Sequence, residues 1–129
     1  MKILSTEYHG VRDPQDEFEN TITVLEHFID DDGVKQVRTR KLNPRFDLRE
    51  HTTTIPSSSG FEWGYGGSGP AQLALALLAD NVDKDTALRL YQRYKFLVVS
   101  RLPRDEWTLT SRQILDVAQE LLEEVGHAS

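Results

Sequence analysis

Residues 60–79 read GFEWGYGGSGPAQLALALLA, a glycine-rich turn that runs directly into ten residues with one polar side chain, Gln72. The run Pro70 to Ala79 is apolar on nearly every side, so it predicts a helix buried all round rather than an amphipathic one. Pro70 suits its first turn, where a missing N–H costs nothing. A helix of that kind needs other layers around it, and the flanking sequence is read for them. Downstream, Asp83 to Arg101 predicts a second helix, with Leu88, Tyr91, Tyr94, Val98 and Leu102 at helical spacing. Pro103 stops it. Trp107-Thr108-Leu109 reads as a short strand. Thr110 then opens a third helix, with Gln113 completing a capping box. Ile114, Ala118, Leu121 and Val125 form its apolar stripe, and Gly126 reads as its stop.

Upstream the periodicity changes. Lys2 to Tyr8 predicts a first strand and Asp13-Pro14 a turn. Ile22 to Ile29 and Val34 to Leu42 predict two strands joined at Asp32-Gly33 as a two-residue hairpin. That register sets Phe28 opposite Val37 and Asp30 opposite Lys35. Asn43-Pro44 ends the second of these strands. The polar stretch 50–59, rich in Ser and Thr, reads as a mobile loop. Strands first and helices afterwards predict a single α+β domain over residues 1–129, a small antiparallel sheet covered on one face by about three helices.

Composition narrows the function. The chain has 129 residues, a net charge of −6 and no cysteine. Disulfides, iron–sulfur clusters, cysteine zinc sites and thiol catalysis are therefore excluded. No apolar run approaches the roughly 18 residues of a membrane span. Met1 to Gly10 lacks the basic-then-apolar order of a signal peptide, and the expectation is a cytoplasmic protein with no membrane partner. The charge is segregated: residues 1–33 carry nine acids and two bases, residues 34–49 six bases and one acid. Cross-strand complementarity within the hairpin accounts for this more simply than a dedicated basic patch. Nucleic-acid binding through Lys35, Arg38, Arg40 and Lys41 is a weaker reading, because the acidic whole opposes it.

The glycine turn is the candidate site. A helix start collects free N–H groups and positive dipole potential, and glycines admit a ligand close to the backbone. Gly66, Gly67, Ser68 and Gly69 would donate to an anion, Arg45 or Arg49 would neutralise it, Trp63 or Tyr65 would stack on a base, and Glu62 would serve as a general base. Named motifs do not fit. Gly64, Gly66 and Gly69 match G-x-G-x-x-G, but no buried strands flank them. Pro70-Ala71 replaces the Lys-Ser/Thr of a P-loop, and Ser68 lacks a nucleophile-elbow context. The competing conformational reading has Gly69 letting the buried helix pack close against the sheet. Asp30-Asp31-Asp32-Gly33 reads as a turn and not a calcium loop. His9, His27, His51 and His127 share no metal-ligand spacing, so neither metal nor cofactor is expected, and His51 is the one candidate proton carrier.

The run Phe61 to Ala74, with Leu42-Asn43-Pro44-Arg45, Asp47-Leu48-Arg49, Leu90-Tyr91-Gln92, Lys95-Phe96, Leu102-Pro103 and Trp107-Thr108-Leu109, resembles a small domain family of unknown function found in bacteria, archaea and their phages. The resemblance covers about residues 35–115. It implies no assigned functional residues, but a phage or mobile-element setting, where small acidic proteins modulate a host protein. The resulting expectation is a non-enzymatic interaction module with a protein partner. The alternative is a protein that binds a nucleotide or another small anionic ligand at the glycine turn.

Overall fold

The computed structural model describes residues 1–12, 20–52 and 60–127. The expected mobile loop falls mostly on 53–59, and the Asp13-Pro14 turn on 13–19, both outside the described residues. The element order is β1 (Lys2–Val11), β2 (Thr21–Ile29), β3 (Lys35–Lys41), α1 (Ser68–Ala79), α2 (Lys84–Leu97), β4 (Glu106–Thr110) and α3 (Ser111–His127). A 3₁₀ turn, Val99–Arg101, follows α2. The strands form one antiparallel sheet in the order β3-β2-β1-β4, so the fold is α+β. The late strand β4 pairs with β1, which joins the C-terminal half to the N-terminal sheet.

The sheet has two unlike faces because side chains alternate along each strand. Tyr8, Ile22, Val24 and Trp107 point to one face and are buried there. Above them lies α1, whose residues from Gly69 to Leu78 are all buried. This is the helix buried all round that its composition requires. The opposite face carries Glu7, His9, Leu25, His27 and Val37, all at least partly exposed.

The hairpin differs from its expected register by one residue. Phe28 pairs with Gln36, His27 with Val37, and Ile29 with Lys35. The cause is a three-residue loop in place of a two-residue one. Asp30 N–H donates to Val34 O at 3.0 Å and Gly33 N–H to Asp30 O at 3.0 Å, with Gly33 at φ 80°. The Asp30 carboxylate accepts from the N–H of Asp32 and of Val34, both at 2.9 Å. A side-chain acceptor at the strand end thus stabilises a turn with its left-handed residue at Gly33. The slip sends Val37 to the exposed face, 54% accessible, instead of opposite Phe28.

Three helix readings also change. The second helix ends at Leu97, and Gly64 N–H takes the Val99 carbonyl at 3.0 Å just beyond it. Its buried face is Ala87, Leu90, Tyr91 and Tyr94, while Leu88 is exposed. Asp83 caps its start, accepting from Thr86 N–H at 3.1 Å. The third helix continues through Gly126 to His127. Its capping box is present: Thr110 Oγ1 accepts from Gln113 N–H at 3.1 Å, and Gln113 Oε1 from Thr110 N–H at 2.9 Å.

Candidate functional site

The glycine turn is tied down by groups far away in sequence. Arg12 meets Glu62 as a fork, with N–O distances of 2.9 and 2.7 Å, and its Nε donates to Arg104 O at 3.0 Å. Glu62 is therefore a paired carboxylate, not a free base. Trp63 is fully buried, donates Nε1–H to Arg104 O at 3.0 Å and meets Trp107 edge-to-face at 5.6 Å. A Trp in that place packs the core and has no face free to stack on a base. Tyr65 is the exposed aromatic, 43% accessible, and burial of its remainder together with Glu62 raises its pKa. Gly69 is needed for close approach, but to the preceding loop rather than to the sheet: a Cβ there would stand 2.6 Å from Glu62 Cβ and 3.0 Å from Gly60 O.

The two arginines lie elsewhere. Arg45 forms a fork with Asp47, both bonds 3.0 Å, and lies within electrostatic reach of Asp80, just beyond the C-terminal end of α1. The neighbouring Pro44 carbonyl accepts from Gln72, in the second turn of α1, so the backbone at Arg45 runs beside that helix. Arg49 contributes its carbonyl to Gln72, not its guanidinium to Gly66–Gly69. The start of α1 itself is bare, since Gly67 provides no side-chain cap and Ser68 is exposed. The Arg45 guanidinium is thus bonded to Asp47, whereas Gly66, Gly67, Ser68 and Gly69 form the uncapped start of α1.

Gln72 explains where the 43–51 segment goes. It is fully buried in α1, donates Nε2–H to Pro44 O at 2.5 Å and to Arg49 O at 3.0 Å, and accepts from His51 N–H at 2.8 Å. His51 also lies 2.9 Å from Tyr91 Oη, and burial, then Arg49 and Lys95, lower its pKa. The expected proton carrier is thus placed in a structural contact against α2.

The basic strand divides between the two sheet faces. Arg38 and Arg40 turn to the helix side. Arg38 bonds Glu26 at 3.2 Å, and Arg40 bonds Glu26 at 3.0 Å and Asp80 at 2.8 Å. Asp80 also accepts from Tyr8 Oη at 2.5 Å, and Tyr8 is pushed up to about 12 by burial and by Asp80. Lys35 and Lys41 project to the opposite face. A continuous basic stripe on one face is therefore absent among the described residues.

That uncovered face holds a grouping that the pairing of β1 with β2 completes. Glu7 stands between two imidazoles: His9 Nε2 is 2.9 Å from its Oε2, and His27 Nε2 is 3.1 Å from its Oε1. The His9 hydrogen bond is the main cause of the lowered Glu7 pKa. Thr108 Oγ1 lies 3.3 Å from His9 Nδ1. Leu25, Ile29 and Val37 flank this group. Among the described residues no three His, Asp or Glu side chains are placed to hold a metal ion. No helix among them is long and apolar enough to cross a membrane.

Comparison with curated proteins and with solved structures returned no match. A family model described as a family of unknown function, DUF6166, matches residues 8–120, and the chain belongs to that family.

Proposed function

We propose that this protein is a non-enzymatic interaction module that engages a protein partner through the uncovered face of its sheet. The observation that carries the reading is the division of the fold: among the described residues the helices lie on one face, and the other face carries Leu25, Ile29 and Val37 without a covering element. Val37 is 54% accessible, and Val11, 53% accessible at the end of β1, adds to the apolar surface of this face. Exposed apolar patches rimmed by polar groups mark interaction sites. Glu62 and Trp63 of the glycine turn are engaged in holding the fold, which favours this reading over nucleotide or phosphate binding. A modulator carried by a phage or other mobile element is the setting that the signature at 61–74 suggests.

The test is site-specific photo-cross-linking in the native host, with a benzophenone side chain at Val11 or Leu25 and a control at Glu120 on α3. The expected result is a discrete adduct from both sheet positions and none from Glu120. Indistinguishable labelling from all three positions would count against the reading.

A further inference from the structure

We propose that β3 accepts an extended acidic peptide as a fifth strand of the sheet. The inference rests on the interaction-module reading and names the chemistry of its partner. It begins with the ladder. Asp30 N–H donates to Val34 O, and Leu42 N–H donates to Ile22 O. Both pairs belong to the β2–β3 register, so Gln36, Arg38 and Arg40 direct their backbone groups to β2. Hydrogen-bonding direction alternates along an antiparallel strand. Lys35, Val37, Thr39 and Lys41 therefore turn their N–H and C=O groups outward.

Outward, no described strand pairs with β3. β3 ends the sheet order, and all seven of its residues are exposed. The side chains of the four outward residues share the uncovered face. The edge thus presents four donors, four acceptors, a lysine at each end and Val37 with Thr39 between them.

That pattern selects its occupant. Alternating donors and acceptors match another peptide backbone, whereas a phosphate backbone offers acceptors only. A second copy of β3 would set Lys35, Arg38, Arg40 and Lys41 against the same four bases, and like charges directly opposite are destabilising. Lysines on an edge strand also discourage neutral strands from pairing. A strand with carboxylates at its two ends meets Lys35 and Lys41 with opposite charge, and apolar side chains between them extend the surface of Val37. Arg38 and Arg40 are engaged by Glu26 and Asp80, which leaves the two lysines to read the peptide.

The experiment titrates the full chain with three probes. One is a blocked seven-residue peptide with glutamate at positions one and seven, valine at three and five, and threonine between. The others are its lysine-ended counterpart and a seven-nucleotide single-stranded DNA. Binding is read by fluorescence anisotropy, and amide exchange by NMR. The acidic peptide should bind at least tenfold tighter than either other probe and slow exchange at Lys35, Val37, Thr39 and Lys41. Val37→Pro removes an outward N–H that β2 does not use, a position where an edge strand tolerates proline. It should lose at least tenfold in affinity while keeping the melting transition. The double variant Lys35→Glu, Lys41→Glu should reverse the preference between the two peptides, and it decides the matter if the proline variant does not fold. Equal binding of both peptides, tighter binding of the DNA, or no added protection at the four amides would overturn the proposal. Cross-linking from Val11 and Leu25 that survives Val37→Pro would leave the interaction-module reading standing without the edge.

Discussion

Replacing Gln72 by methionine isolates the role of the one polar residue in the buried helix. Methionine keeps the unbranched shape and length, so no cavity opens. What is lost is three hydrogen bonds: donors to Pro44 O and Arg49 O, and the acceptor for His51 N–H. Each such bond contributes about 1 kcal/mol net, and a backbone group left buried without a partner costs somewhat more. Greater burial of apolar atoms offsets part of this. The expected destabilisation is about 3 kcal/mol. At about 2.1 cal/mol/K per residue, the unfolding entropy of this chain is about 0.27 kcal/mol/K, so the melting temperature should fall by about 11 °C. The loss should also be local. Trypsin should cut after Arg45 and Arg49 much faster in the variant, because that segment loses its tie to α1. Urea denaturation and timed proteolysis read the two effects. Gln72→Glu sharpens the test, since it keeps the acceptor but turns a carboxylate towards two carbonyls. It should be more destabilising at pH 7 than at pH 4, where a protonated acid can donate once. A Gln72→Met variant within 1 kcal/mol of the native protein, with unchanged proteolysis, would refute the reasoning.

Three further outcomes follow from the same contacts. Thr110→Ala removes one half of the capping box at α3 and should cost about 1 kcal/mol in urea denaturation. Tyr8→Phe deletes the hydroxyl that donates to Asp80 and accepts from Asn81 Nδ2, and should cost about 1–2 kcal/mol by the same measurement. Hydrogen bonds from Arg38 and then Arg40 hold the Glu26 carboxyl below its ordinary value. A depressed carboxyl stabilises the fold fully above its unfolded value of about 4.3, and this stabilisation disappears as the pH falls through the lower native value. Stability should therefore drop on acidification below about pH 5, and Glu26→Gln should flatten that dependence in a pH series of denaturation curves.

Features set by neighbours in the chain were legible in the sequence. The buried helix, the capping box of Thr110 with Gln113 and the Asp83 helix start all depend on residues within four positions of one another. The hairpin was legible as a turn but not in register, because Asp32-Gly33 fits both a two-residue and a three-residue loop. The Asp30 side chain selects between them. The second helix was legible, but its buried face was not, since Leu88 and Leu90 compete for one stripe and only packing against α1 separates them. The site was least legible. Arg12 and Glu62 are 50 residues apart, and Glu7 meets His27 only because β1 and β2 pair. The signal that was available is the E-x-H spacing of Glu7 and His9, which puts both on one face of a strand. The glycine turn is conspicuous in composition, yet its contacts to Arg12, Val99 and Arg104 are all long-range.

Amide hydrogen exchange along β3 in the free protein tests the central claim most directly. If the edge is free in the register described, the amides of Gln36, Arg38 and Arg40 exchange slowly, and those of Val37, Thr39 and Lys41 exchange quickly, alternating residue by residue. Uniform protection along the strand, or the opposite alternation, would contradict a free edge whose outward groups belong to Lys35, Val37, Thr39 and Lys41.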